Sequence, residues 1–265
     1  LLEAQHQLGG CAGTFKRGDF IFDVGATQVA GMEPGGIHSS IFRHLRLDPP
    51  NAEILDPGCV VDLCDGSNPI HIWHDPAKWK TERERHFPGS DAFWNLCSLL
   101  HKSNWKFSLK DPILPIANVW EFNELIKSLD FTNILSGLFS KLSISDLLVI
   151  CRCNRDQRLR TFLDMQLKLY SQEPSDRTAA LYGATVLHMA QSPLGLWHLK
   201  DSMQSLSQTL KKGFLRDNGN LLLGHRLTSL EYFSSTHLWA AHITNSRGRK
   251  IQLEAKDIIF TLPPQ

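Results

Sequence analysis

Hydrophobic residues follow two different periods along the chain, and the changes of period divide it into three parts. In the middle, from about residue 90 to about residue 215, apolar positions recur every three or four residues, which predicts helices. Towards both ends apolar and polar positions alternate, which predicts strands. The pattern therefore predicts α/β structure at each end and a mostly helical insert between the ends.

The helical part begins after the break at Pro88-Gly89, where Ser90 is the expected cap. The face that this helix should bury consists of Phe93, Leu96, Cys97, Leu100 and Phe107. The pattern stays helical from 120 to 148, with short interruptions at Gly137 and Ser143, and continues from 160 to 170.

A further helix is predicted to begin at Asp201 or Ser202, because Asp201 and Gln204 have the spacing of a capping box. Its expected buried stripe consists of Met203, Leu206, Leu210 and Phe214.

Strands are predicted wherever the period is two, at 20–24, 59–61, 70–73, 221–232, 237–244 and 250–254. The continuous apolar run at 257–262 predicts a strand that is buried on both faces. The resulting division of the chain has boundaries near residues 65 and 215.

Composition narrows the class of protein. With 265 residues, of which 42% are hydrophobic and 21% charged, the chain can form a packed core in one large or two ordinary domains. A formal net charge of +1 without a basic stripe argues against nucleic acid as a partner. Six cysteines without a regular framework favour reduced thiols in an intracellular setting. No apolar run is long enough to predict a membrane span, which leaves attachment to a membrane surface open.

The opening residues carry the most specific chemistry. Leu1 and Leu2 resemble the end of a buried strand, Glu3 follows, and Gly9-Gly10 forms a tight turn a few residues later. This order is typical of the ribose-binding acid in a dinucleotide-binding βαβ unit, whose phosphate loop lies about 20 residues before the acid. Only two residues precede Glu3, so we expect the chain to begin inside its domain and, after the apolar run at 257–262, to end inside it too.

Several strings together resemble one enzyme family. The residues from Glu3 to Gly10, then Gly13-Thr14-Phe15 and the string FDVGAT at 22–27, resemble the FAD-binding part of the phytoene desaturase and carotenoid isomerase family of FAD-dependent oxidoreductases. The longer strings DPAKW, ERHFPGS, FLDMQLKLYSQ, ALYGATVL and GLWHLKDSMQSLS are similar to cyanobacterial carotenoid desaturases that act at C-3',4'.

This resemblance implies two interleaved domains. Residues 1–65 would form part of a Rossmann-like FAD-binding domain that is incomplete at both ends, and residues 66–215 an inserted, mainly helical substrate domain. Residues 216–265 would form a β-meander and a strand that returns to the FAD-binding domain. We expect the 265-residue chain alone to hold FAD poorly and to be inactive.

The resemblance also implies the residues that contact FAD. Glu3 would bind the ribose, the glycine pair would lie near the pyrophosphate, 25–28 would run beside the flavin ring, and residue 227 would hold adenine through its backbone. The set is Glu3, Gly9, Gly10, Gly25, Ala26, Thr27, Gln28 and Leu227. Where relatives commonly have Arg, this chain has Cys11, so phosphate binding should depend more on backbone amides.

The insert should hold an apolar polyene by buried area, although any single apolar residue is more often simply core. The substrate-contacting candidates are Phe162, Met165, Tyr170, Tyr182 and Trp197. The catalytic residue stays unknown, because neither His198 nor Asp201 is a compelling base.

Other constellations are weaker. No zinc spacing is recognisable among the histidines His71, His74, His86 and His101, and Cys151 and Cys153 have no second pair, so no metal is expected. The arginines at 152, 155, 158 and 160 predict a solvated face or, less strongly, contact with anionic lipid head groups.

The function indicated by the resemblance is FAD-dependent desaturation at C-3',4' of an acyclic carotenoid end, by hydride transfer to flavin. The alternatives are a flavin-dependent carotenoid cis–trans isomerase and a flavin- or carotenoid-binding protein without turnover. Because the substrate dissolves in membranes, we expect peripheral attachment on the cytoplasmic side of a membrane, which would be the thylakoid or plasma membrane in a cyanobacterium. The carbon pair, the final electron acceptor and the oligomeric state are left open.

Overall fold

The computed structural model describes residues 1–110, 112–113, 115–130, 133 and 136–261, which form a mixture of helices and strands. The helices are α1 (Ile37–His44), α2 (Pro76–His86), α3 (Asp91–Ser108), α4 (Val119–Ser128), α5 (Ile144–Ile150), α6 (Gln157–Ser171), α7 (Ala180–Val186) and α8 (Gln204–Arg216). The strands are β1 (Leu2–Glu3), β2 (Thr14–Arg17), β3 (Phe20–Asp23), β4 (Ala52–Ile54), β5 (Cys59–Val61), β6 (Ile70–Ile72), β7 (Trp197–Leu199), β8 (Leu222–Leu223), β9 (His225–Phe233), β10 (Leu238–Asn245) and β11 (Lys250–Ala255).

The chain divides into two compact units. The terminal unit consists of Leu1–Val29, Ile37–Glu53 and His198–Gln265, and the central unit consists of Ala30–Gly36 and Ile54–Trp197. These bounds differ from the boundaries expected near 65 and 215. The hairpin of β5 and β6 belongs to the core of the central unit, and the helix that was expected to close the insert, α8, belongs to the terminal unit.

Three small sheets form the terminal unit. β1 pairs in parallel with β8, β2 pairs with β3 as a hairpin, and β9, β10 and β11 form an antiparallel meander with β10 in the centre. The single strand expected at 221–232 is interrupted at Gly224, whose φ of 65° is the left-handed conformation that favours glycine. This break lets the short segment before it pair with β1 while the longer segment after it joins the meander.

The start of α8 corrects two sequence expectations. The helix begins at Gln204, and Met203 occupies the cap position. No neighbouring side chain makes a cap hydrogen bond, so the capping role predicted for Asp201 or Ser202 is wrong. The expected buried stripe is also only partly buried, because Leu210 and Phe214 are exposed. They line an open groove of about 630 Å³ in the terminal unit that also reaches Gly9.

One aromatic-rich core fills the central unit. α3 buries Phe93, Cys97 and Leu100 almost fully, as the helical period predicted, whereas the predicted Leu96 and Phe107 are half-buried. It also buries Trp94, which the predicted face did not include. Ser90 stands at the cap position of α3, but its hydroxyl donates to the carbonyl of Phe87 and accepts from the Trp94 indole instead of capping the helix. The cap expected there is therefore replaced by a buried hydrogen bond that orients Trp94.

The helical stretch expected over 120–148 has one break more than the predicted interruptions at Gly137 and Ser143. α4 already ends at Ser128, where Leu129 takes an extended backbone with ψ of 143°. The described residues 133, 136 and 137 are helical, and α5 begins at Ile144 after a complete capping box between Ser143 and Asp146, which agrees with the interruption predicted at Ser143. Residues 131, 132, 134 and 135 of this prediction lie outside the described residues.

The strand expected at 257–262 is wrong for the described residues 257–261, which have no strand structure. The side chain of Ile259 is 89% exposed, so this apolar run is not buried on either face. A strand buried on both faces needs neighbours on each side, and no described strand pairs with this segment. Leu262 lies outside the described part of the chain.

Candidate functional site

The end of β1 brings a carboxylate to the carboxyl edge of a parallel strand pair. Glu3 lies opposite Leu223 of β8, and its Oε1 accepts a hydrogen bond of 2.7 Å from the backbone N–H of Gln5. The carbonyl of Gln5 in turn accepts from the N–H of Gly224 at 2.9 Å. The loop after β1 is thereby fixed, and the second carboxylate oxygen of Glu3 has no partner among the described residues.

The glycine pair forms a tight left-handed turn at the start of a short 3₁₀ helix, Gly10–Ala12. Gly9 has φ of 115° and Gly10 has φ of 52°, which a side chain would strain. In the part of the chain that the structure describes, the N–H groups of Gly10 and Cys11 have no acceptor. Two backbone donors therefore point away from the turn and are available to an anionic ligand.

A second loop packs directly against this turn. The N–H of Ala26 donates to the carbonyl of Cys11 at 3.1 Å, and a Cβ placed on Gly25 would lie 3.0 Å from the same oxygen. Glycine at position 25 thus favours the close approach of the two backbones, because a Cβ would make a tighter contact than side chains normally make. Two of the loops that the sequence indicated are therefore in contact. The carbonyl of Cys11 links them, although the sequence marked this residue only as a departure from the arginine of relatives.

A polar network, which the sequence analysis missed, holds the same loops to α8. Oδ1 of Asp23 accepts from the backbone N–H of Met203 at 3.0 Å and from the Thr14 hydroxyl at 3.2 Å. Thr14 also lies 2.9 Å from the Ser202 hydroxyl. The helix is therefore capped by a residue about 180 positions away in the sequence, which spacing rules for local caps cannot detect.

The remaining flavin candidates lie on the same unit without joining this contact. Thr27 is exposed and follows the Gly25-Ala26 segment directly, and Gln28 is half-buried. Leu227 lies in β9 opposite Ile243 of β10, and β9 contacts β1. Its strand is thus close to that of Glu3, while its side chain is half-buried in the meander.

The central unit contains a small apolar cavity of about 10 Å³, which is room for about one water molecule. Phe162 and Tyr170 line it, together with Cys59 and Gln166. Burial raises the pKa of the Cys59 thiol, although a hydrogen bond with Gln166 opposes the shift, and burial also raises the pKa of Tyr170. Both groups are therefore neutral near pH 7, and the wall of the cavity carries no charge.

The other substrate candidates lie elsewhere on the central unit. The Tyr182 hydroxyl donates to the carbonyl of Tyr170 at 3.2 Å, so these two tyrosines are neighbours, but Tyr182 is exposed. Met165 is exposed on the outer side of α6. Trp197 is half-buried, and its indole N–H has no partner among the described residues. Neither Met165 nor Trp197 lines the cavity.

No group of three or more metal-ligating side chains occurs in the described residues. Three of the four histidines that were considered have polar partners, and the ring of the fourth, His101, stacks on that of His188. His71 contacts Glu82, His74 contacts the carbonyl of Leu194, and Nδ1 of His86 accepts from the guanidinium of Arg158. No described helix is both long and apolar enough to cross a membrane.

The comparison with known families decides the class of the protein. The model of the flavin-containing amine oxidoreductase family matches residues 1–265, which is the whole chain. The chain belongs to this family. It is an FAD-dependent oxidoreductase, and FAD is its cofactor. No curated protein matches the chain.

The residues of the terminal unit fit this cofactor chemically. The free N–H groups of Gly10 and Cys11 suit a pyrophosphate, and the unpaired carboxylate oxygen of Glu3 suits ribose hydroxyls. The absence of a Cβ at Gly25 lets the second loop pack closely against the turn.

Proposed function

We propose that the protein is a carotenoid desaturase, which introduces a double bond at C-3',4' of an acyclic carotenoid end. The observation that carries the oxidoreductase half of this proposal is the match of the whole chain to the flavin-containing amine oxidoreductase family. The contact between the Gly9–Ala12 turn and the Gly25-Ala26 segment is where we propose that the cofactor binds. The carotenoid half is supported by the resemblance of the longer sequence strings and by the uncharged lining of the cavity in the central unit.

In this proposal the residues of the terminal unit bind and orient the cofactor. Glu3 accepts the hydrogen bonds of the ribose, and the N–H groups of Gly10 and Cys11 donate to phosphate oxygens. Thr27 and Gln28 continue the backbone along the edge of the ring system. Leu227 contributes through its backbone in β9. When bound, FAD supplies the capacity to accept a hydride.

The residues of the central unit bind the polyene and exclude water from it. A carotenoid end without charge gains binding energy from apolar contact, at roughly 25 cal/mol per Å² of buried area. Phe162 and Tyr170 line the cavity, the Tyr182 hydroxyl donates to the Tyr170 carbonyl, and Met165 adds an exposed, adaptable side chain. The cavity has room for about one water molecule, so a polyene would enter only after these side chains move apart. Because no carboxylate is among the described residues that line it, we expect the opened slot to bind a cationic amine poorly.

Anaerobic mixing of the protein, expressed from its complete gene and loaded with FAD, tests the proposal. An acyclic-ended carotenoid in detergent should bleach the flavin absorbance near about 450 nm, whereas a primary amine should not. Bleaching by the amine alone would contradict the proposal. Rearrangement of the carotenoid without net bleaching would assign a cis–trans isomerase instead.

The lipid solubility of a carotenoid also leads us to propose that the protein works at the surface of a membrane, as a peripheral protein on its cytoplasmic side. Flotation of the complete protein with liposomes checks this part separately. Recovery of the protein only in the aqueous fraction would exclude it.

A further inference from the structure

A buried histidine of the central unit lies between a cation and an anion. Nδ1 of His86 lies 3.1 Å from the guanidinium of Arg158 on α6, and its Nε2 lies 3.6 Å from Oε1 of Glu82, one turn earlier on α2. A guanidinium has only N–H donors, so Nδ1 must accept, and the neutral ring carries its proton on Nε2. The side chains of His86 and Glu82 are 5% and 7% exposed, so water does not shield this arrangement.

The cation beside His86 also anchors a loop. Nη2 of Arg158, which donates to His86, also donates to the hydroxyl of Ser67. Nε of the same guanidinium lies 3.3 Å from the carboxylate of Asp65. Both partners belong to residues 62–69, which connect β5 to β6. In the part of the chain that the structure describes, the remaining hydrogen bonds of this loop are internal to it, so Arg158 is its polar link to a helix.

The anion beside His86 holds the strand that follows this loop. Oε1 of Glu82 accepts a hydrogen bond of 2.9 Å from the backbone N–H of His71 in β6, and it lies 3.3 Å from Nδ1 of the same residue. The second oxygen of Glu82, Oε2, lies 3.6 Å from the exposed guanidinium of Arg85. His86 is therefore next to two groups that hold the β5–β6 hairpin, one at its loop and one at β6.

The surroundings of His86 oppose a positive charge on its ring. Burial lowers the pKa of His86 from its ordinary value of 6.5, and the carboxylate of Glu82 opposes this shift. Arg158 of α6, Arg85 of α2 and His71 of β6 add to the lowering of the pKa. The ring is therefore neutral at pH 7, and a state that separates it from Arg158 binds a proton more readily. As the pH falls below 6.5, proton uptake favours that separated state.

We propose that His86 and Arg158 form an acid-released clamp that fixes the β5–β6 hairpin to α2 and α6 at neutral pH. A proton taken up at Nδ1 of His86 faces the N–H groups of the guanidinium, so their hydrogen bond is lost and the two cations repel each other. The imidazolium is neutralised by Glu82, whose Oε1 is drawn away from the N–H of His71. The guanidinium leaves its position, and the loop at 62–69 either follows it or loses its anchor.

The clamp acts on elements that enclose the small cavity of the central unit. Cys59 of β5 lines this cavity, and so does Phe162, which follows Arg158 by one turn of α6. Phe87, directly after α2, lies with its ring centroid 5.1 Å from that of Phe162. Release of the hairpin therefore gives the side chains around the cavity room to move apart.

This inference rests on the proposed function only for the ligand, because a cavity that opens gives a polyene a way in. The two can fail separately. A protein whose hairpin loosens in acid through His86 but that does not oxidise a carotenoid refutes the proposed function alone. A protein that desaturates a carotenoid but whose hairpin is equally protected at neutral and acidic pH refutes the clamp alone.

Hydrogen exchange of the complete protein, followed by mass spectrometry at pH 7.5 and pH 5.5, tests the clamp. The protection factors of residues 59–72, corrected for the intrinsic effect of pH on exchange, should fall about tenfold in the wild type. In His86→Gln they should change less than about twofold, because the glutamine oxygen accepts from Arg158 and does not titrate. Equal falls in both proteins would overturn the proposal. So would a parallel fall in α3, because it would indicate opening of the whole unit.

The control for the titrating group is the other imidazole beside Glu82. His71→Gln should keep the acid response of the wild type, because the backbone N–H that donates to Glu82 is still present. A response that is lost in His71→Gln and kept in His86→Gln would assign the titration to His71, and the proposal would be wrong.

Two arginines of α6 provide a matched pair. Arg158→Gln removes the cation of the clamp, so the protection of residues 59–72 should already be about tenfold lower than in the wild type at pH 7.5. Arg160→Gln should behave like the wild type, because the guanidinium of Arg160 donates to Ser145 on α5. Equal protection of the hairpin in all three proteins would refute the role of Arg158.

Labelling of Cys59 measures the opening of the cavity itself. Cys59 is half-buried, whereas Cys11 is exposed and serves as an internal reference in the same protein. At pH 7.5, the rate of labelling by iodoacetamide at Cys59 relative to Cys11 should be about tenfold higher in Arg158→Gln than in the wild type. An unchanged ratio, measured peptide by peptide, would show that the cavity stays closed without the clamp and would contradict the proposed link between them.

Discussion

A stacked pair of histidines should make the central unit sensitive to acid. The rings of His101 and His188 lie with their centroids 5.4 Å apart and their planes within 9° of parallel, between α3 and the end of α7. Burial lowers the pKa of His188 from 6.5 to about 4, although the hydrogen bond of its Nδ1 with the Ala184 carbonyl opposes the shift. Burial also lowers the pKa of His101.

The sign and size of the effect follow from these pKa values. As the pH falls through 6.5, the unfolded chain takes up a proton at His188 that the folded chain resists until about pH 4. The folded state therefore keeps its full stability with respect to His188 above about pH 6.5, and it loses this contribution as the pH falls towards 4. At about 1.36 kcal/mol per pKa unit, the whole shift corresponds to up to about 3 kcal/mol of unfolding free energy, of which about 2 kcal/mol is lost by pH 5.

Urea unfolding at pH 7.5 and pH 5, followed by the fluorescence of the buried Trp79 and Trp94, measures this loss. The substitution His188→Gln removes the titrating group, so the variant should lose about 2 kcal/mol less than the wild type between the two pH values. The control His44→Gln, at an exposed position of α1, should behave like the wild type. Equal losses for the wild type and His188→Gln would refute the argument.

Three further substitutions test the contacts described above. Asp23→Ala should lower the free energy of unfolding by about 1–2 kcal/mol, because the N–H of Met203 at the start of α8 loses its acceptor. Urea denaturation measures this change, and an unchanged free energy of unfolding would mean that water replaces the carboxylate. Gly183→Ala should lower the free energy of unfolding by about 1–3 kcal/mol, because the new Cβ would lie 2.6 Å from Cδ1 of Ile144. A variant as stable as the wild type in thermal unfolding would contradict this close packing. Glu3→Gln should raise the dissociation constant for FAD about tenfold in a flavin fluorescence titration. The control Glu254→Gln, at an exposed position, should leave this constant unchanged. Equal dissociation constants for the two variants would mean that Glu3 does not bind FAD.

Sequence periodicity predicted those elements whose structure depends on nearby residues. α3 buries most of the face expected from its spacing, and the meander strands β10 and β11 begin and end within one residue of their predicted bounds. The turn between them could be predicted because Asn245 holds it by accepting from the N–H groups of Arg247 and Arg249.

The elements that differ depend on partners far away in the sequence. The start of α8 is held by Asp23, so no local pattern around Asp201 could predict its cap. The apolar run that includes Ile259 has the composition of a buried strand but no described strand beside it. In α4 the hydrophobic period predicts a helix correctly, but periodicity cannot tell whether its apolar residues are buried, and none of them is.

In the candidate site, the sequence and the resemblance indicated Glu3, the glycine pair and Gly25 as important positions, and the structure explains the backbone conformation at each. Neither could indicate that Cys11 joins the two loops, because that contact uses its carbonyl oxygen and not its thiol. A backbone role of this kind leaves no mark on residue type.

The mass of the reaction product tests the central proposal most directly. The protein, expressed from its complete gene and supplied with FAD, should convert an acyclic-ended carotenoid into a product lighter by two hydrogen atoms, with the new double bond at C-3',4' and absorption shifted to longer wavelength. A product of unchanged mass, or recovery of the substrate alone while an amine is oxidised, would contradict it.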